Sequence, residues 1–226
     1  MLAYSTNHLS SPSASAGEFH ITSRNSSARA EPASLPPAGQ PAAVHAANAE
    51  IFAQGEKAGG AIYQVAFGVV RIYRLLADGR RQISAFHFAG EVFGLEPGER
   101  HEFSAEAITS AGVRILKPSN HGDFAHHLLP VALRSLARAQ RHLLLLGRQN
   151  ALEKVSAFLM DMAERQENSD HVDLPMQRSD IGDYLGLTLE TVSRVFSKLK
   201  DAGVIKLTTA RSIEIIDMHA LEAMTE

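Results

Sequence analysis

The spacing of apolar residues changes twice along the chain, and each period predicts a different architecture. Between about Glu50 and Lys117 they come in short β-branched and aromatic runs, Ala61–Val65, Val69–Leu76 and Gln82–Phe88. Such runs predict strands, because branched and aromatic side chains pack well on a pleated surface. Asp78-Gly79 between the second and third runs predicts a tight hairpin with both central residues at the positive φ of a type I′ turn. Gly55, Gly59, Gly60, Gly68, Gly90, Gly94 and Gly98 break the region at short intervals. That punctuation favours an antiparallel roll or barrel over a parallel sheet.

Beyond this region the period lengthens. Leu129, Ala132, Leu136, Ala139, Leu143, Leu146 and Asn150 fall at alternating steps of three and four. This is the a/d seam of a coiled coil, closed by an asparagine. Pro130 is expected in the first turn, where its missing N–H does no harm. Leu133 and Leu144 add a second apolar face, so both sides of the helix need cover, and a second copy of the chain would supply one of them. Leu129, Leu136, Leu143 and Leu146 are the expected dimerisation residues. A shorter helix carries Leu152, Val155, Leu159 and Met162 on one face and runs out in the polar stretch 165–170.

Residues 178–203 then compress two helices around a tight turn. Ile181, Tyr184 and Leu185 form the apolar face of the first, Gly182 allows close approach, and Gly186 suits a left-handed helix end. Thr188 is the expected N-cap of the second helix, and Gly203 follows its end. Val192, Phe196 and Leu199 point inward, whereas Leu189, Glu190, Ser193, Arg194 and Ser197 lie on the opposite side. A helix-turn-helix offers such a face to the DNA major groove. Arg bonds the O6 and N7 acceptors of guanine, and Glu accepts from the N4 amine of cytosine. The base-reading candidates are Leu189, Glu190, Ser193 and Arg194. Arg178, Ser179, Thr188, Lys198, Lys206 and Arg211 are the candidates for the DNA backbone, with Lys200 nearby. Val204–Leu207 and Ser212–Ile216, joined by four residues, read as a β-hairpin wing. An ordinary core helical hairpin explains the turn but neither the polar exposed face nor the wing.

Composition narrows the picture. The chain has 226 residues, 45% of them hydrophobic, and no cysteine. Disulfides, zinc thiolates, iron–sulfur clusters and thiol catalysis are therefore excluded. The net charge of -3 does not announce nucleic acid. Residues 148–226 carry 9 Lys/Arg against 14 Asp/Glu, yet over 177–211 the balance is 6 against 4. Positive charge gathers where the motif sits. Residues 1–48 hold 9 serines and 5 of the 9 prolines, with no lysine, and are expected to be a disordered extension. No apolar run approaches the roughly 20 residues of a membrane span, and no secretory signal is evident, so a cytoplasmic location is expected.

The stretch Arg178-Ser-Asp-Ile-Gly-Asp-Tyr-Leu-Gly-Leu-Thr-Leu-Glu-Thr-Val-Ser-Arg194 resembles the FNR branch of the CRP/FNR transcription regulators, with its Glu-x-x-Ser-Arg signature at Glu190, Ser193 and Arg194. Phe86–Gly94 is similar to the family's β-roll segment. The resemblance covers roughly residues 50–222. It implies an α+β fold: an N-terminal antiparallel β-roll of the cyclic-nucleotide-binding kind, a long dimerisation helix and a C-terminal winged helix-turn-helix. The boundaries drawn are 1–48 for the extension, 49–118 for the roll, 119–147 for the helix and 148–222 for the winged domain, with the motif at about 177–196.

Two departures place the chain within the family. It lacks the cysteines of an oxygen-sensing cluster. Where cyclic-nucleotide members hold the phosphate with an Arg-Ser/Thr pair, it has Phe103-Ser104 flanked by Glu102 and Glu106. An anion there lacks its bidentate partner, and tight cyclic-nucleotide binding is not expected. The FixK-type branch fits these features. It implies a homodimeric activator of low-oxygen and nitrogen-fixation genes that reads a TTGA-type palindrome and meets RNA polymerase, with no cofactor.

A catabolite-type activator responsive to cyclic nucleotide is the alternative. A nucleotide-binding module acting on a protein partner is another, but it has no use for Glu190, Ser193 and Arg194 on an exposed face. His121, His126 and His127 with Asp123 lack established metal-ligand spacing and are expected to be a solvated helix start. His87, which could otherwise ligate haem, is expected to be packed within its strand. No phosphate-binding loop or nucleophile elbow is found, so no enzyme is expected.

Overall fold

A computed structural model describes residues 41–116, 123–148, 150–167 and 170–225, the side chains of 123–127 excepted. The first part is a roll of two antiparallel sheets. One has the order β1 (Ala43–His45), β8 (Ala111–Leu116), β3 (Ile62–Phe67), β6 (Val92–Phe93). The other has the order β2 (Glu50–Phe52), β7 (Ser104–Ala107), β4 (Val70–Leu75), β5 (Arg81–His87). Phe52, Val65, Val70, Ile72, Phe93 and Val113 are buried together as the core of the roll. Strand β1 falls inside the 1–48 stretch expected to be disordered, so the roll begins at Ala43: its edge pairs with β8, Ala43 opposite Val113. Residues 1–40 lie outside the described residues.

The β4–β5 hairpin forms as expected, but its turn differs. Gly79 takes a positive φ of 82°, and Asp78 does not. The Gly79 N–H donates to Leu76 O (2.9 Å) and the Leu76 N–H to Arg80 O (2.8 Å), closing a loop longer than the two residues of a type I′ turn. Asp78 suits this turn because its carboxylate accepts the Arg80 N–H at 3.0 Å.

Helix α1 (Asp123–Gly147) is the long helix. Its described part begins at Asp123, and Pro130 stands inside it rather than in its first turn. The ring removes one backbone bond, to the carbonyl four residues earlier, which a helix of this length tolerates at some local cost. Asn150 does not close the seam. It is the N-cap of α2 (Ala151–Arg165), its side chain accepting the Leu152 N–H. The second apolar face of α1 is also not the one expected. Leu133 and Leu144 stand on the same side as the seam leucines, while Val131, His142 and Leu145 are the residues buried against the protein itself.

The C-terminal part follows the expected order with two additions. Strand β9 (His171–Asp173) joins the wing strands β10 (Ile205–Thr209) and β11 (Ser212–Ile215) in the order β10-β11-β9, and α5 (Met218–Ala223) closes the chain. Helices α3 (Arg178–Leu185) and α4 (Leu189–Asp201) form the helix-turn-helix. One buried cluster joins Ile83 and Phe86 of β5 to Phe158, Leu159 and Met162 of α2, to Ile181 and Leu185 of α3, and to Val192, Phe196 and Leu199 of α4. The winged part is therefore packed directly on the outer face of the β4–β5 sheet.

Candidate nucleic-acid interface

The turn between α3 and α4 has little freedom. Gly186 ends α3 at φ 66°, and the Leu187 N–H donates back to Gly182 O at 2.9 Å. A Cβ on Gly182 would stand 2.7 Å from Leu187 O, so only glycine lets the turn fold this tightly over α3. Thr188 caps α4, its hydroxyl accepting the Thr191 N–H at 3.2 Å. On the inner side Val192, Val195, Phe196 and Leu199 are buried.

The outer side of α4 presents Leu189, Glu190, Ser193, Arg194 and Ser197 to solvent, as the sequence predicts. A shallow groove along it is lined by Ser193, Arg194, Ser197 and Lys198. The Glu190 carboxyl is held below its usual range, first by its own backbone N–H at the helix start, then by the Thr188 hydroxyl and the Arg194 charge. At neutral pH the face therefore carries an acceptor and a cationic fork one helical turn apart, groups whose chemistry complements the edges of cytosine and guanine.

The candidates for backbone contact differ in exposure and in pairing. Lys198 and Arg211 are exposed and make no ion pair among the described residues, and Thr188 is exposed at the α4 cap. Lys206 is exposed but paired with Glu214 at 2.9 Å, and Lys200 lies 3.9 Å from Asp201. Ser179 is half-buried. Arg178 is withdrawn: its guanidinium lies 3.2 Å from the centre of the Phe196 ring, and burial lowers its pKa to about 10. It props α4 from beneath rather than standing free at the surface.

On α1 the leucines divide by face. Leu129 (60% exposed), Leu133 (55%), Leu136 (54%), Leu143 (68%) and Leu144 (75%) lie bare on one side. Leu146 is half-buried and approaches the α3 cap, where its Cδ2 would lie 3.8 Å from a Cβ on Gly186.

Several charged residues missed by pattern reading tie the parts together. Glu91 receives Arg138 of α1 and Arg165 of α2, each at 2.8 Å. Burial would raise its pKa, but the His87 imidazole 3.6 Å away and these two arginines pull it down to about 2. Arg165 also donates to Phe86 O at 2.7 Å and stands over the Phe88 ring at 4.5 Å. Phe103 packs against the roll core, and with Glu91's neighbours it lines a cleft of about 980 Å³ between roll and helices. His121 and the side chains of Asp123, His126 and His127 lie outside the described residues, among which no group of three His, Asp or Glu side chains is placed to hold a metal. No described helix is long and apolar enough to cross a membrane.

Comparison with known proteins matches a Crp-like helix-turn-helix domain to residues 153–224 and a cyclic nucleotide-binding domain to residues 44–121. The nitrogen fixation regulation protein FixK of Rhizobium meliloti is 51% identical over 175 residues, covering 77% of this chain and 82% of that protein. The chain belongs to the CRP/FNR family of transcription regulators. Within it, the FixK of Azorhizobium caulinodans is 43% identical over 80% of this chain and 78% of that protein. The structure of FixK2 from Bradyrhizobium japonicum superposes with a TM-score of 0.75 at 42% identity, covering 81% of this chain and 96% of that one. These relatives are FixK-type regulators, so the chain is FixK-like over its whole fold. This regulator is a DNA-binding protein of the helix-turn-helix class, and its family is one of transcription regulators, not enzymes.

Proposed function

We propose that this regulator acts in the cytoplasm as a homodimer that activates low-oxygen and nitrogen-fixation genes, reading a TTGA…TCAA palindrome with one α4 helix per protomer. The observation that carries the reading is the α4 outer face, where Glu190, Ser193 and Arg194 stand exposed on a helix whose other side is fully buried. Half-sites about one helical turn apart match a two-fold dimer. The bare leucines of α1 supply the seam. RNA polymerase is the expected partner of the bound dimer.

Binding is proposed to need no cyclic nucleotide. Glu91 is already occupied by Arg138 and Arg165, and Phe103 offers no fork to a phosphate. Fluorescence anisotropy with the palindrome and a scrambled duplex, with and without cyclic AMP and at two salt concentrations, tests this. Preference for the palindrome in air without nucleotide is expected, weakening with salt. Arg194→Ala should lose that preference, by about 1–3 kcal/mol per half-site, and still fold and dimerise. Undiminished binding by this variant refutes base reading by α4, and binding only with cyclic AMP makes the protein a catabolite-type activator.

A further inference from the structure

Arg71 is the second residue of β4, and its guanidinium is buried between two carboxylates. Its Nη2 meets Glu106 of the neighbouring strand β7 at 2.5 Å, and its Nη1 reaches both oxygens of Asp180, on the first turn of α3, at 3.1 Å. Asp180 is 2% exposed. It also accepts from Arg81 Nη2 of β5 at 2.5 Å and from the Gln177 N–H at 3.2 Å. Arg81 Nε grips Asp183 Oδ2 at 2.8 Å, and Gln82 Nε2 donates to Asp183 O at 2.6 Å.

We propose that Arg71 is a positioning residue for DNA binding, which acts through Asp180 to fix the angle of the recognition helix α4 relative to the roll. The inference rests on the reading of α4 given above. Desolvating two carboxylates and two arginines adds little net stability compared with an apolar contact. What such a cluster supplies is geometry, because its charges are satisfied in one relative placement of β4, β5 and α3 only. The covalent path does not supply that placement: α1 ends at Gly147 and α2 begins at Ala151, a break in the helix that a rotation can use. From α3 the constraint passes to α4 through the tight turn at 186–188 and the Gly182 contact. A palindrome requires two such helices at a fixed separation.

The absence of native cysteine allows clean labelling. Spin labels at Glu102→Cys in the roll and Asp201→Cys at the end of α4, both exposed positions, report the angle by pulsed dipolar spectroscopy in dimers diluted with unlabelled chain. The full-length protein should give one narrow distance distribution. Arg71→Gln and Asp180→Asn should each broaden it and weaken palindrome binding about tenfold or more, with helical content and dimerisation retained. They should also flatten the preference for correct half-site spacing over a duplex lengthened by two base pairs. The effect of the double variant should fall short of the sum of the two single ones, since both break the Arg71–Asp180 contact. A merely structural role would lower the melting temperature without moving the spacing preference. If Arg71→Gln does not fold, Arg71→Lys carries the test, because one ammonium cannot hold Glu106 and Asp180 together. Unchanged distances, unchanged spacing preference or tighter binding in these variants overturns the proposal. If the unsubstituted protein shows no preference for the palindrome, the DNA reading fails, and the distances still decide whether Arg71 fixes α3.

Discussion

Paired substitution of Leu136→Glu and Leu143→Glu separates assembly from folding. Both side chains are more than half exposed in the single chain, at 54% and 68%, so the protomer has little to lose. Fully burying a leucine is worth about 1.5–3 kcal/mol, so covering the exposed part of each is worth roughly 1–2 kcal/mol. Two positions in each of two chains then forfeit about 4–8 kcal/mol of association, before counting the repulsion of carboxylates facing each other across the axis. That weakens the dimer by roughly 10³-fold or more. Sedimentation velocity at micromolar concentration should find monomers with an unchanged far-ultraviolet spectrum, and palindrome binding should fall with the dimer. Leu145→Glu, from the face that packs on the protein itself at 9% exposure, should instead unfold the chain. A double variant that remains dimeric at micromolar concentration refutes the assignment of this face.

Two further outcomes follow from the turn and from Glu91. Gly182→Ala gains helix propensity but sets its Cβ 2.7 Å from Leu187 O, whereas Gly186→Ala meets nothing closer than 3.8 Å and suffers only the roughly 1–2 kcal/mol strain of its φ. Thermal melts should rank Gly182→Ala the less stable, and the reverse order refutes the close-approach argument. Glu91 has a folded pKa lowered to about 2, so its stabilisation is complete above its unfolded value near 4.5 and is lost as pH falls towards 2. The shift corresponds to about 3 kcal/mol. Acid titration of unfolding should show Glu91→Gln less stable at pH 6 and flatter between those two values; an unchanged slope refutes the ion pairing.

The legible parts of the sequence are those where one physical demand dominates a short stretch. The branched runs of β3, β4 and β5 and the caps and inner face of α3 and α4 are of this kind, and the exposed reading face follows from them by helical period. What escaped needs partners distant along the chain. Ser104–Ala107 has weak strand propensity and is a strand because it lies between β2 and β4. Ala43–His45 and His171–Asp173 are three-residue edge strands stabilised by β8 and β11. The two sides of α1 do not follow from its leucines: Leu133 and Leu144 lie beside the seam rather than on a second face, and the inward stripe is Val131, His142 and Leu145, one of them polar. One overlooked signal was local: β4 and the residue before it are apolar on both faces, Val70 and Ile72 towards the roll core and Val69 and Tyr73 towards the other cluster, so Arg71 between Val69 and Tyr73 had to meet buried acid.

That arrangement also explains how a winged part with a net negative charge can approach DNA. Over 177–211 the four acidic residues are Asp180, Asp183, Glu190 and Asp201. Asp180 and Asp183 are bound by Arg71 and Arg81 of the roll, so the cations that neutralise them come from outside the DNA-binding part. Glu190 belongs to the reading face, and Asp201 sits at the far end of α4 beside Lys200. The field along the groove is then set by Arg194 and Lys198, with Asp201 at its end, while the acids of α3 are paired with the roll. Few phosphate contacts imply a shallow dependence of affinity on salt, and a corresponding reliance on base contacts for discrimination. Losing Arg71 or Arg81 therefore has two effects at once: the angle of α4 loosens, and two carboxylates are unmasked one helix away from the phosphates.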